Sequence, residues 1–238
     1  MQVPDTKRFG WRAGRRLGVL LVTVTKLVVA GSLVEADEPT SKTLVVLGDS
    51  LAAGYGLNPA DAYPAVLDQW IRAAGLPFHV ANAGVSGDTT AGGVRRVDWV
   101  LKRPVDVLLL ELGGNDGLRG LSPTQTRSNL VTIILKARAA NPRVQVVIAG
   151  MQMPSNLGAE YTQAFRDLFP EVAKTQSALL IPFLLEGVGG VRELNQSDQI
   201  HPTAEGHRRV ATNVWKVLEP ALRSVAAAIP APSAAIGR

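Results

Sequence analysis

The sequence predicts an α/β fold: a five-stranded parallel sheet as the middle layer of a three-layer α/β/α sandwich. Three observations carry this. Short apolar runs alternate with longer segments of helical period from Thr43 onward, as expected of strands joined by helical crossovers. One run, Val105–Leu112 ("VDVLLLEL"), is apolar almost without interruption, which suits a central parallel strand covered on both faces. The chain has 238 residues, 46% of them hydrophobic, enough for one sizeable core rather than two.

The elements follow in order. Thr43–Leu47 is the first strand. Asp61 is placed to cap a helix whose apolar positions Tyr63, Val66, Leu67, Trp70 and Ile71 keep the 3, 4 spacing, and Gly75 closes it. Phe78–Asn82 reads as the second strand, and Ala91–Leu101 as a helix that Pro104 ends. After the central strand, Ser122 caps a helix with Pro123 at its first position, running to Asn141-Pro142. Val144–Met151 is the fourth strand, Ala159–Ser177 a helix with an interruption expected at Phe169-Pro170, and Ala178–Phe183 the fifth strand. A last helix follows Pro202 to about Val225. Trp70, Trp99 and Trp215 are expected in the core.

The net charge of +5 is unevenly distributed. Residues 1–36 hold Lys7, Arg8, Arg12, Arg15, Arg16 and Lys26 against Asp5 and Glu35, leaving 19 basic and 18 acidic side chains elsewhere. A balanced body argues against a nucleic-acid partner. The basic start, the apolar Leu17–Val34 and the small residues Val34 and Ala36 around Glu35 predict a signal peptide over 1–36 and an exported, periplasmic or secreted protein. Membrane association is expected only if that segment is retained. The folded domain is then 42–225 and the Ala/Pro-rich 226–238 a flexible tail. With no cysteine, disulfides, thiolate metal sites and a cysteine nucleophile are excluded.

In a sheet of this kind ligands bind beyond the carboxyl ends of the strands, and the unusual residues fall there. Gly48-Asp49-Ser50 follows the first strand, Ala83-Gly84-Val85-Ser86-Gly87-Asp88 the second, and Gly113-Gly114-Asn115-Asp116-Gly117 the third; Asp198-Gln199-Ile200-His201-Pro202 precedes the last helix. Acyl transfer needs these types. A serine hydroxyl attacks only when a neutral imidazole takes its proton, and a carboxylate on the other ring nitrogen fixes the tautomer. Asp198 and His201 are close enough in sequence for that pairing, which makes Ser50, His201 and Asp198 the candidate triad. The oxyanion that forms needs donors already in place, for which the Ser50 N–H, the Gly84 N–H and the Asn115 amide are the candidates. Asp49, Asp88 and Asp116 are expected to fix loops, and His79 and His207 to be structural or surface residues. No cluster has metal-ligand spacing, so neither metal nor cofactor is expected.

The pieces "GDSLAAGYG", "NAGVSGDTTAGG", "LGGNDGLRG" and "DQIHP", with "MQMPSNLG" (Met151–Gly158), resemble in order and rough spacing the SGNH or GDSL-type serine hydrolases, in particular their thioesterase I/arylesterase branch. The resemblance covers about residues 42–223. It implies the flavodoxin-like SGNH hydrolase fold and a serine esterase acting on carboxylic esters, acyl thioesters or lysophospholipids through an acyl-enzyme. It implies Ser50 as nucleophile, His201 as base, Asp198 as its orienting acid and Gly84 and Asn115 as oxyanion donors. It also implies a mobile loop at Gly117, Leu118, Arg119 and Gly120 which, with Met153 and Pro154, would contact substrate. A monomer using small acyl esters or thioesters is the matching expectation. Gln199 departs from the glycine common there, which bears on the turn. Two other readings stay open: a carbohydrate O-deacetylase using the same residues, and a non-catalytic small-molecule-binding module with Gly48–Ser50 as an anion-binding turn.

Overall fold

The computed structural model describes residues 41–228; the expected signal peptide, Trp11 and the end of the expected tail lie outside the described residues. Five strands, β1 (Lys42–Gly48), β2 (Phe78–Gly84), β3 (Val107–Glu111), β4 (Gln145–Ala149) and β5 (Leu179–Ile181), form one sheet in the order β2-β1-β3-β4-β5. Every pairing is parallel. The helices are α1 (Ser50–Ala53), α2 (Tyr63–Ala73), α3 (Thr90–Val100), α4 (Gly114–Leu118), α5 (Pro123–Ala140), α6 (Ala159–Thr175) and α7 (Ala204–Ala227). α2 packs against α7, while α3, α5 and α6 pack in a row. Right-handed crossovers require this division, because the chain leaves β1 toward β2 and then reverses toward β3, β4 and β5. The expected three-layer sandwich is therefore the observed one, with the strand order reversing beside β1.

Burial explains the strand sequences. All five residues of β3 are buried, and Leu44, Val45, Val46 and Leu47 of β1 are at most 4% exposed, so apolar side chains are needed on both faces. A buried Leu or Ile contributes about 1.5–3 kcal/mol relative to exposure, and the two central strands supply much of that stabilisation.

Several local expectations are revised. Asp61 is not the cap of α2: Asn58 caps a 3-10 turn at Pro59–Asp61, and Ala62 precedes α2 without a side-chain cap. Pro170 does not interrupt α6, which runs through it. Pro170 and Arg166, whose carbonyl loses its helical donor, are both exposed, while Phe165, Leu168, Phe169 and Val172 hold the buried face. Pro202 lies before Thr203, which caps α7 by accepting the Gly206 N–H. Trp70 and Trp215 meet edge to face at 5.8 Å, but Trp99 is 71% exposed on α3 rather than in the core.

His207 is a structural residue. It is buried, and its Nδ1 accepts the Tyr63 N–H at 3.2 Å, tying α7 to the start of α2. Burial, with His201 nearby, lowers its pKa from 6.5 to about 4. The unfolded chain therefore binds a proton near pH 6.5 that the native state refuses until about 4. The stabilisation is complete above the unfolded pKa and is lost as pH falls through that window, amounting to about 3 kcal/mol. Urea unfolding across this range should show the loss in the wild type and a smaller slope in His207→Gln.

Candidate active site

The serine stands where β1 ends. After Gly48 the backbone turns at Asp49, whose Oδ1 accepts the Leu51 N–H at 3.0 Å and starts the single turn of α1. Ser50 is thus held at the first position of that turn, 8% exposed. The histidine arrives from the loop before α7. Asn195 and Pro202 form an isolated bridge, and the Gln196 N–H donates to the His201 carbonyl at 2.7 Å. The Gln196 side chain also donates to the Tyr55 carbonyl (2.8 Å) and the Pro202 carbonyl (3.0 Å), lacing the histidine loop to the chain just after the serine turn.

These elements bring the three sequence candidates together. His201 Nε2 is 3.0 Å from Ser50 Oγ, and His201 Nδ1 is 2.7 Å from Asp198 Oδ2. Asp198 Oδ1 accepts the N–H groups of Ile200 and His201, each at 3.0 Å. The bond from the His201 ring, then those two backbone donors, lower the Asp198 pKa to about 2. A carboxylate ionised at any working pH draws the ring hydrogen to Nδ1, and Nε2 is left to accept the serine O–H. Gln199 takes φ +58 in this turn, a conformation glycine adopts without strain. Its amide donates back to the Gln196 carbonyl at 2.9 Å, so the departure at Gln199 is accommodated and the Asp–His geometry keeps its shape.

The donor side is only partly as expected. Asn115 lines the same cavity as Ser50 and His201. Its Nδ2 donates to Asp49 Oδ2 at 3.0 Å and to the Asp88 carbonyl at 2.9 Å. Gly84 does not fit the donor role: it is the last residue of β2, and its N–H is spent on Asn82 Oδ1 at 2.9 Å. Its missing Cβ instead makes room for the backbone of Ala52 and Ala53. Gly87 is the better candidate. It sits at φ +77 in the turn closed by Asp88 N–H to Val85 carbonyl, directly before the Asp88 carbonyl that Asn115 touches. Its own carbonyl is held by Arg119 Nη2 at 2.9 Å, and its N–H has no acceptor among the described residues.

The acids fix loops. Asp116, buried, accepts the Thr90 N–H and hydroxyl and the Thr126 hydroxyl, tying α4 to α3 and α5. Asp88 pairs with Arg96 at 2.7 Å. Arg96 was not singled out from the sequence, yet its other nitrogens donate to the Ala83 carbonyl (2.6 Å) and the Gly48 carbonyl (2.8 Å), clasping the ends of β1 and β2. Tyr55, also missed, lays its ring 4.5 Å from that of His201, centroid to centroid. His79 is exposed and bonds Ser41 and Thr43.

A cavity of about 520 Å³ opens beside Ser50. Its apolar wall includes Leu118, Met153, Pro154, Phe183, Leu185 and Ile200. Of the expected substrate contacts, Leu118, Met153 and Pro154 line it; Gly117, Arg119 and Gly120 do not. Gly117 supports Met153, since a Cβ there would fall 2.1 Å from its sulfur. Tyr161, from α6, places its hydroxyl 3.1 Å from the Gly117 carbonyl and 2.9 Å from that of Leu121. Among the described residues no group of three or more acidic or histidine side chains could hold a metal ion, and no helix is long and apolar enough to cross a membrane.

The fold and site define a parallel α/β protein with a serine, histidine and aspartate in line at the carboxyl edge of its sheet. The chain belongs to the GDSL-like lipase/acylhydrolase family, whose model matches residues 46–209. It is 41% identical over 187 residues to the esterase TesA of Pseudomonas aeruginosa, covering 78% of this chain and 92% of that one. It is 38% identical over 180 residues to the thioesterase 1/protease 1/lysophospholipase L1 of Escherichia coli K12, covering 75% and 84%. A crystal structure of TesA superimposes with a TM-score of 0.72 at 41% identity, covering 75% of this chain and 99% of that one.

Proposed function

We propose that the protein hydrolyses carboxylic esters, and acyl thioesters or lysophospholipids of similar shape, through an acyl-enzyme on Ser50. The observation that carries this reading is the unbroken line Asp198–His201–Ser50, at 2.7 and 3.0 Å, opening onto an apolar cavity. His201 takes the Ser50 proton as the oxygen adds to the acyl carbon, and Asp198 stabilises the imidazolium that forms. The imidazolium then gives the proton to the leaving oxygen or sulfur. Water, deprotonated by the same ring, releases the acid. The oxyanion is received by the Ser50 N–H, the Gly87 N–H and the Asn115 amide, which exchanges one of its two present acceptors for it. The relatives' names, an esterase and a thioesterase/lysophospholipase, support the substrate class.

The cavity wall sets acyl length. Gly189 lines the cavity in ordinary backbone geometry, and a Cβ there would lie 3.5 Å from Phe183 and 3.6 Å from Leu185, normal contact distances. Gly189→Leu therefore fills the apolar space without a backbone clash. We expect it to lower kcat/KM for p-nitrophenyl dodecanoate by about 10-fold or more while the butyrate ester changes by less than about threefold, since each methylene excluded is worth about 1–3 kcal/mol. Equal losses on both esters would remove this cavity as the acyl site. The basic and apolar character of residues 1–36 supports export with cleavage after Ala36. Amino-terminal sequencing of protein recovered from an exporting host tests this, and a mature chain still beginning at Met1 would refute it.

A further inference from the structure

Glu111 is an acid at the end of the most buried strand, and no step above uses it. Its side chain is fully buried. Oε2 accepts the N–H groups of Asp49 and Ala52, each at 3.2 Å, from beneath the turn that carries Ser50. This contact also explains the first residue of the Gly-Asp-Ser run. Gly48 pairs with Glu111 in register, and a Cβ on Gly48 would lie 2.3 Å from Oε2.

The other oxygen, Oε1, is buried and accepts from no donor. The titratable groups facing this carboxyl are Asp49, which meets it side chain to side chain, and the Tyr63 hydroxyl, itself buried and unpartnered. His201 also acts electrostatically on Asp49. Among the described residues neither Glu111 nor Asp49 forms an ion pair with a lysine or arginine. Two buried carboxylates in contact, with one oxygen lacking a donor, is an arrangement that a shared proton resolves. Asp49 is the natural recipient, because it is the group that holds Asn115 Nδ2 at 3.0 Å.

Resting on the reading of Ser50 as nucleophile, we propose that Glu111 is a positioning residue held as the neutral acid: its carbonyl oxygen fastens the nucleophile turn and its O–H donates to Asp49, which aims Asn115. Burial first, then the Asp49 charge, pushes the Glu111 carboxyl well above the ordinary range, and burial lifts Asp49 to about 6. The pair thus carries one proton near neutrality.

A glutamine supplies the same acceptor and donor without a charge, whereas leucine supplies neither. Glu111→Gln is expected to keep kcat for p-nitrophenyl butyrate within about threefold of wild type. Glu111→Leu should lose about 10- to 100-fold in kcat with KM changed by less than about threefold, the pattern of a displaced reacting group. A folded Glu111→Gln as impaired as Glu111→Leu would overturn the proposal, because an ionised carboxylate would then be needed; so would a fully active Glu111→Leu. Infrared spectroscopy decides independently of whether the leucine variant folds. Wild type near neutral pH should show the C=O band of a buried protonated carboxyl that Glu111→Gln lacks, and its absence from wild type would refute the neutral acid. Fluorophosphonate labelling of Ser50 in the same samples separates a failure of this proposal from a failure of the nucleophile assignment.

Discussion

Ser50→Ala is expected to lower kcat for p-nitrophenyl butyrate by about 10⁴-fold or more, the scale seen when a nucleophile is removed from a serine triad. The reason is chemical: without Oγ there is no acyl-enzyme, and His201 can only assist water. Folding should be untouched. The Ser50 side chain borders the cavity, and its hydrogen bond among the described residues is the one to His201 Nε2. Its loss strands no fully buried partner, so the urea midpoint should move by no more than about 1 kcal/mol equivalent. Undiminished turnover in a folded Ser50→Ala would remove the nucleophile assignment.

Asp198→Asn is the second large effect, expected at about 10²- to 10⁴-fold in kcat with KM little changed. Asparagine can still accept the two backbone N–H groups at 3.0 Å, so the turn survives. It cannot supply the negative charge opposite the imidazolium, and its NH₂ can turn the ring to the wrong tautomer. The effect should sit below that of Ser50→Ala, because the Asp198 side chain is 37% exposed and water substitutes in part. The sign of the pH dependence follows from its pKa. Held down to about 2 by the histidine and backbone donors, Asp198 keeps its charge throughout the weakly acidic range and loses it only as pH falls through that value. Activity lost between about pH 6 and 4 therefore belongs to other groups, and Asp198→Asn should already lower the rate at neutral pH, where the wild-type carboxylate is fully charged. A variant matching wild type at the upper end and failing only in acid would contradict this role.

The sheet was legible because buried parallel strands must be apolar on both faces, which gives Leu44–Leu47 and Val107–Leu110 their continuous runs. The Ser50–His201–Asp198 line was legible because each residue sits in a short motif, and the motifs fall after successive strands and before the last helix. What escaped was local or had no sequence period. α1 and α4 span only four and five residues, too few for a 3.6-residue pattern to register. Trp99 looked like core from its residue type alone, and Pro170 like a helix interruption, although a proline on the exposed face is tolerated there. Gly84 and Gly87 stand three residues apart across the end of β2, and nothing local says which N–H the strand end will consume. Glu111 did leave a trace, as the one acid late in an apolar run. Its meaning required the backbone of the serine turn above it.

Treatment with a fluorophosphonate followed by intact-mass and peptide mass spectrometry tests the central claim most directly. A single adduct on Ser50, lost in Ser50→Ala and strongly slowed in His201→Ala, is the result this structure predicts. A protein that stays unmodified while hydrolysing esters, or one that carries the adduct on a different residue, would contradict it.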